Sequence, residues 1–164
     1  MKTKSSVYSF FLGTLLTLLG ELVLAEIPPN IILIISDDQR HDDLDGRMPN
    51  VEERIMQAGV RFMNAYVTTP ACCPSRASIL TGMYASRHRV TRNSSTLEQA
   101  TIVNHLKEAG YYTGLVGKYL NTWDGSPRPE FDYWASFPGG SAPFYNPVLN
   151  VNGKWIDAKG YITD

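Results

Sequence analysis

The residues Ile31-Ile32-Leu33-Ile34-Ile35 form an unbroken apolar, mostly β-branched run flanked by Asn30 and Ser36. With no polar alternation, this pattern predicts a strand buried on both faces, as in a parallel sheet covered by helices. The run stops at Asp37-Asp38-Gln39-Arg40. Pro49 then opens a predicted helix with Val51, Ile55 and Ala58 on one face and Gly59 as its C-cap. Val60 to Val67 reads as a second strand. A further helix follows Pro74, because a proline suits the first helical position, where its missing N–H costs nothing. Ser95 and Glu98 form a capping box ahead of Leu97, Ala100, Val103, Leu106 and Ala109, which keep helical spacing until Gly110. Tyr111 to Lys118 returns as a strand. Strand and helix alternation of this kind predicts a layered α/β domain.

From Trp123 onward the pattern loses its period. Seven prolines and glycines from Pro127 to Pro147 interleave with Trp, Tyr and Phe, predicting an ordered loop whose rings pack or offer a sugar platform. Val148 to Trp155 predicts a hairpin through Asn152-Gly153, a type I′ turn pair.

The N-terminus changes the picture. Lys2 and Lys4 precede an apolar run from Val7 to Leu19, and Val23-Leu24-Ala25 ends it with a site suited to cleavage before Glu26. Residues 1–25 therefore read as a secretory signal peptide. An uncleaved membrane anchor is the poorer reading, because Gly13, Gly20 and Glu21 interrupt a run already short of the roughly 20 apolar residues of a span. Export to the extracellular space, a lysosome or a periplasm is the expectation, with no stable membrane anchor. The balance of 15 Lys+Arg against 16 Asp+Glu gives no argument for a nucleic-acid partner, and none is expected. Asn93-Ser94-Ser95 is an N-glycosylation sequon in an exported chain.

Chemistry concentrates in three places. Cys72 and Cys73 stand beside a helix N-terminus, where the partial positive charge favours anions and thiolates. The two are neighbours, so a structural disulfide is a poor account of them. Asp37 and Asp38 stand at the exit of the first predicted strand, where ligands of open α/β sheets collect. Paired carboxylates there repel each other unless a cation or a cationic side chain compensates. Oxygen ligands would suit a hard ion such as Ca²⁺ or Mg²⁺, while the pair taken alone reads more readily as a solvated turn. Arg76 and Lys118 add two cations, able to pair with a carboxylate or an oxyanion. His41, His88 and His105 show no ligand spacing, although His88 has some prospect of approaching a substrate.

Cys72-x-Pro-Ser-Arg76 with Leu80-Thr81-Gly82, Asp37-Asp38, and Gly117-Lys118-Tyr119-Leu120-Asn121 occur in the order and spacing found in sulfatases. The chain resembles that family over residues 30–164, most of all its N-acetylglucosamine-6-sulfatase and heparan endosulfatase branch. Asn150-Val151-Asn152-Gly153-Lys154 and Tyr161-Ile162-Thr163-Asp164 add to that likeness. Many arylsulfatases carry a histidine where Leu120 stands, a change this branch shares. The resemblance implies an alkaline-phosphatase-like layered sheet with flanking helices. It makes residues 26–164 the N-terminal part of a sulfatase catalytic domain, apparently truncated, with further metal ligands beyond Asp164.

It also implies that a formylglycine-generating enzyme oxidises Cys72 to formylglycine, the nucleophile. Asp37, Asp38 and the converted Cys72 would bind Ca²⁺, with Mg²⁺ second. Arg76 would hold the formylglycine hydrate and Lys118 would contact the sulfate ester of a sulfated glycan. Two other readings stand beside this: a phosphate mono- or diester hydrolase on the same fold, and an inactive secreted fragment that binds sulfated glycan.

Overall fold

The computed structural model describes residues 27–163; the signal peptide expected over residues 1–25 lies outside them. The chain divides into two compact units, Met1–Ser36 and Asp37–Asp164. In the first, residues 27–36 are irregular and, apart from the half-buried Ile35, exposed, Ile32 to 84%. The strand predicted for Asn30–Ser36 is not formed. An apolar pattern states what a segment is able to bury, but a strand exists only where a neighbour takes its N–H and C=O groups.

The second unit carries a four-stranded mixed sheet in the order β1-β2-β3-β4, with short helices beside it. Strand β1 (Gly114–Val116) runs parallel to β2 (Tyr133–Ser136), pairing Gly114 with Tyr133. Strands β3 (Val148–Val151) and β4 (Lys154–Asp157) then continue antiparallel, joined as the predicted hairpin. Asn152 and Gly153 take φ of 49° and 88°, the left-handed pair that a type I′ turn requires. The Asn152 side chain also accepts a hydrogen bond from Trp134 N–H at 2.8 Å, which hooks the turn onto β2.

Helix α1 (Pro49–Val51) starts at Pro49 as predicted and runs on as a π-helical turn over Glu52–Met56. It ends at Gln57 in ordinary right-handed geometry, so Gly59 is not its C-cap. Residues 60–67 form no strand, and Tyr66 is 87% exposed. Here again β-branched and aromatic residues lack a hydrogen-bonded partner among the described residues.

Helix α2 (Cys72–Thr81) begins two residues earlier than the proline suggested, which places both cysteines in its first turn and Pro74 at the third position. Any first-turn site tolerates proline, because none of those N–H groups has an intrahelical acceptor. Gly82 closes the helix in the left-handed conformation, φ 66°. Helix α3 (Ala85–His88) packs against it.

Helix α4 (Ile102–Glu108) is shorter than predicted. Its capping box is Thr101 with Asn104, whose Oδ1 accepts from Thr101 N–H at 2.8 Å, not Ser95 with Glu98. Leu97 reaches the core from the preceding loop, so its apolar character reflects burial without helix. The end follows the pattern: Gly110 N–H bonds to Lys107 C=O and Tyr111 N–H to Leu106 C=O, a Schellman motif.

The core gathers Cys73, Ala77 and Leu80 from α2 with Val90, Leu97, Tyr119, Leu120 and Trp134. Tyr119 stands edge-on to Trp123, Phe131 and Trp134, with ring centroids 5.6–6.2 Å apart. These are favourable T-shaped contacts, and they show that the rings around Trp123 serve packing. Phe144 and Tyr145 remain exposed.

Candidate active site

Lys118 follows β1 by two residues and immediately precedes the buried pair Tyr119-Leu120. Anchoring those two side chains in the core fixes where the lysine backbone lies. Arg76, one turn into α2 and 8% exposed, donates from Nη1 to the Lys118 carbonyl at 2.8 Å. Helix α2 and the segment that follows β1 are thereby joined through one guanidinium.

Asp37 is the hub of the cluster. Arg76 Nη2 lies 3.3 Å from its Oδ1, and Lys118 Nζ lies 3.1 Å from Oδ1 and 2.9 Å from Oδ2. Burial by itself pushes the Asp37 carboxyl up, but the hydrogen bonds and charges of Lys118 and Arg76 outweigh it and hold the group below its ordinary value. Asp38 turns the chain with φ 53°, a left-handed conformation that Asp tolerates better than most residues.

Asp37, Asp38 and Cys72 each present one ligand atom, all within 4.8 Å of one another. All the catalytic and metal-site residues expected from the sequence therefore converge: Cys72, Arg76, Lys118, Asp37 and Asp38. Two carboxylates against two cations leave the cluster near neutrality, so a divalent cation would give it the positive charge an anionic ester needs.

The two cysteines separate. Cys72 is half-buried beside the carboxylates, whereas Cys73 is fully buried and belongs to the core. Burial pushes the Cys73 thiol up, against the opposing effect of the Asn121 and Thr122 backbone. A thiol kept protonated in this way is inert, so the second cysteine is a packing residue. Tyr119, next to Lys118, is likewise no proton donor near neutrality, since burial pushes its phenol up to about 12.

His88 does not face a substrate. It is 1% exposed, its Nδ1 accepts from Val90 N–H at 3.0 Å, and its Nε2 lies 2.9 Å from Ser78 Oγ. Since Nδ1 accepts, Nε2 carries the proton and donates to Ser78, pinning α3 to α2. Burial holds its pKa below the ordinary 6.5. The folded state thus keeps His88 neutral while the unfolded chain protonates below about 6.5. Its contribution is present above that pH and is lost as the pH falls. We expect His88→Gln to lower stability by about 1–2 kcal/mol at pH 7.5. It should also flatten the decline in stability between pH 7 and 5, whose slope for one such group is at most about 1.4 kcal/mol per pH unit. Thermal unfolding across that range checks both; an unchanged slope would remove His88 as its source.

One residue was read from the sequence only as a glycan site. Asn93 is exposed, yet its Oδ1 accepts a hydrogen bond from the Cys73 N–H at 2.9 Å. The sequence did carry a faint signal, since Ala71 has no side chain able to cap the helix that follows.

Comparison with known proteins identifies the family. The family model described as Sulfatase matches residues 29–159. The chain is 41% identical over 137 residues to the putative extracellular sulfatase Sulf-1 homolog of Caenorhabditis elegans, covering 76% of this chain and 19% of that protein. It is 36% identical over 147 residues to the N-acetylglucosamine-6-O-sulfatase of Bacteroides thetaiotaomicron, covering 83% and 25% respectively. The solved structure of BT4656 in complex with its substrate D-glucosamine-2-N,6-O-disulfate superposes with a TM-score of 0.62 at 37% identity, covering 69% of this chain and 23% of that one. The chain spans a quarter or less of the length of these relatives.

Proposed function

The chain belongs to the sulfatase family, with its alkaline-phosphatase-like fold, and from that premise we propose that its site serves to release sulfate from a sulfated sugar. The observation that carries this reading is the convergence of Arg76 and Lys118 on Asp37, beside Cys72. It is a charge-balanced cluster beside one half-buried nucleophile position. The substrate class we favour is N-acetylglucosamine 6-sulfate within a glycosaminoglycan. The names of the bacterial relative and of the bound disulfated glucosamine in the structural neighbour support it.

Within the reading each residue has a task. Cys72 is the nucleophile position, converted to formylglycine by a formylglycine-generating enzyme during export. Sulfur suits a hard cation poorly, whereas the oxygens of the converted side chain would join those of Asp37 and Asp38 as part of an all-oxygen set suited to Ca²⁺, with Mg²⁺ second. When bound, that ion would stabilise negative charge on the sulfuryl oxygens. Arg76 orients the helix turn that bears Cys72 and holds Asp37 ionised for ligation. Lys118 aims an ammonium at the same locus and offsets charge on the ester. Localisation follows the leader: export to the extracellular space or a lysosome, in keeping with the named extracellular relatives.

Matched aryl sulfate and aryl phosphate esters, together with glucosamine 6-sulfate, test the proposal. We expect the sulfate ester to be turned over faster by about 100-fold or more, the preference of a site tuned to one leaving anion. Faster phosphate release would favour the phosphatase reading. Glycan binding with no release of either anion would favour the binding-only reading.

A further inference from the structure

Helix α2 starts without a local cap. Ala71 offers no side-chain acceptor, Pro74 has no N–H, and Ser75 N–H bonds to the Ala71 carbonyl at 3.0 Å. The acceptor for the Cys73 N–H comes from twenty residues further on, the Oδ1 of Asn93 at 2.9 Å. The loop that presents it is held from several sides. Val90 and Leu97, both in the core, anchor its two ends. A turn closes it by Ser95 N–H to Arg92 C=O at 3.0 Å and by Arg92 N–H to Ser95 Oγ at 3.3 Å. The Ser95 carbonyl then accepts from the Cys73 thiol at 3.6 Å and from Thr122 Oγ1 at 3.3 Å. Cys73 is thus gripped at its amide and at its sulfur by one loop, and Cys72 is its immediate neighbour.

We propose that Asn93 is a positioning residue for Cys72, acting as a remote N-cap that fixes the first turn of the nucleophile helix. Its catalytic consequence rests on the sulfatase reading; the cap itself does not. The sequon and the cap use different atoms of the same side chain: a glycan attaches at Nδ2, while Oδ1 makes the cap. Asn93→Asp therefore removes the sequon and retains the cap oxygen, whereas Asn93→Ala removes both. Asn93→Gln keeps the carboxamide but displaces the oxygen by one methylene.

Three readouts on the full chain, produced in a host that does not glycosylate, decide the matter. Asn93→Ala should speed amide hydrogen exchange at Cys73 by about fivefold, the loss typical of one N-cap, while Asn93→Asp stays near wild type and Asn93→Gln falls between. In protein whose Cys72 is left as a thiol, its alkylation rate by iodoacetamide at fixed pH should change by about threefold or more in Asn93→Ala only. In the matured protein, kcat on a sulfate ester should fall about tenfold in Asn93→Ala with KM within twofold, and Asn93→Asp should restore it. Unchanged Cys73 exchange in Asn93→Ala overturns the cap. Faster exchange with unchanged kcat and unchanged Cys72 alkylation overturns the positioning role. If the wild-type protein releases no sulfate, the functional reading fails, and exchange and alkylation still decide for or against Asn93.

Discussion

Cys72→Ala is expected to lower sulfate release by about 10⁴-fold or more while leaving the fold intact, because it deletes the nucleophile position from a group of residues that act as a unit. The separation of the two effects follows from where the side chain lies. Cys72 is half-buried at the first turn of α2 and outside the core, and alanine is a stronger helix former than cysteine. Sulfate quantified by ion chromatography and thermal unfolding of the same preparation check the two halves together. The neighbouring Cys73→Ala, which opens space in the core at a fully buried site, should show the reverse pattern. Residual activity in Cys72→Ala above a hundredth of wild type would remove Cys72 from the chemistry.

Asp37→Asn should impair both stability and turnover. The carboxylate is the shared partner of Arg76 and Lys118, whose side chains are only 10% and 9% exposed. Losing it leaves two poorly solvated cations facing each other across a neutral amide. A fully buried pair broken in this way costs about 3–5 kcal/mol. Asp37 is itself 44% exposed, so water screens part of the loss and about 2 kcal/mol is the expected destabilisation. Under the proposed function turnover should drop by about 10³-fold, since the substitution would remove a carboxylate oxygen proposed to ligate the metal and would free Lys118 from its partner. The pH dependence carries a sign. The folded Asp37 carboxyl is held below its ordinary 3.8, so its contribution is present above that pH and is lost as the pH falls further. Acid unfolding of wild type and variant should therefore converge well below pH 4. A variant that is equally stable and equally active would show that the two cations do not depend on Asp37.

Legibility from sequence differed by element for physical reasons. The hairpin at Asn152-Gly153 and the Gly110 terminus of α4 were readable because local backbone sterics decide them: positive φ favours those residue types wherever they occur. The strands expected at Asn30–Ser36 and Val60–Val67 were not formed, although their composition suits strands, because pairing is a property of two segments and a pattern describes one. Leu97 shows the same limit from the other side. Its apolar character reflects its place in the core, while Ala100 is exposed, and the helix starts only after Thr101 supplies a cap.

For the site, the sequence by itself determined the inventory: a Cys-x-Pro-Ser-Arg segment, an Asp pair and a Gly-Lys-Tyr-Leu-Asn segment, hence the family. Motifs of that kind are legible because reactive groups are few and their order along the chain is visible. The Cys-x-Pro-Ser-Arg register already singled out Cys72; the tertiary structure added where the two thiols lie. Cys73 packs into the core with Leu97, Tyr119 and Leu120, while Cys72 stays half-buried within reach of Asp37 and Asp38. The tertiary structure also gave Asn93, read only as a surface sequon, a hydrogen bond from the Cys73 N–H, and turned His88 from a candidate substrate contact into a buried pin. Burial and hydrogen-bond partnership depend on what surrounds a residue in space, and residues 20 to 80 positions apart meet only when the chain folds.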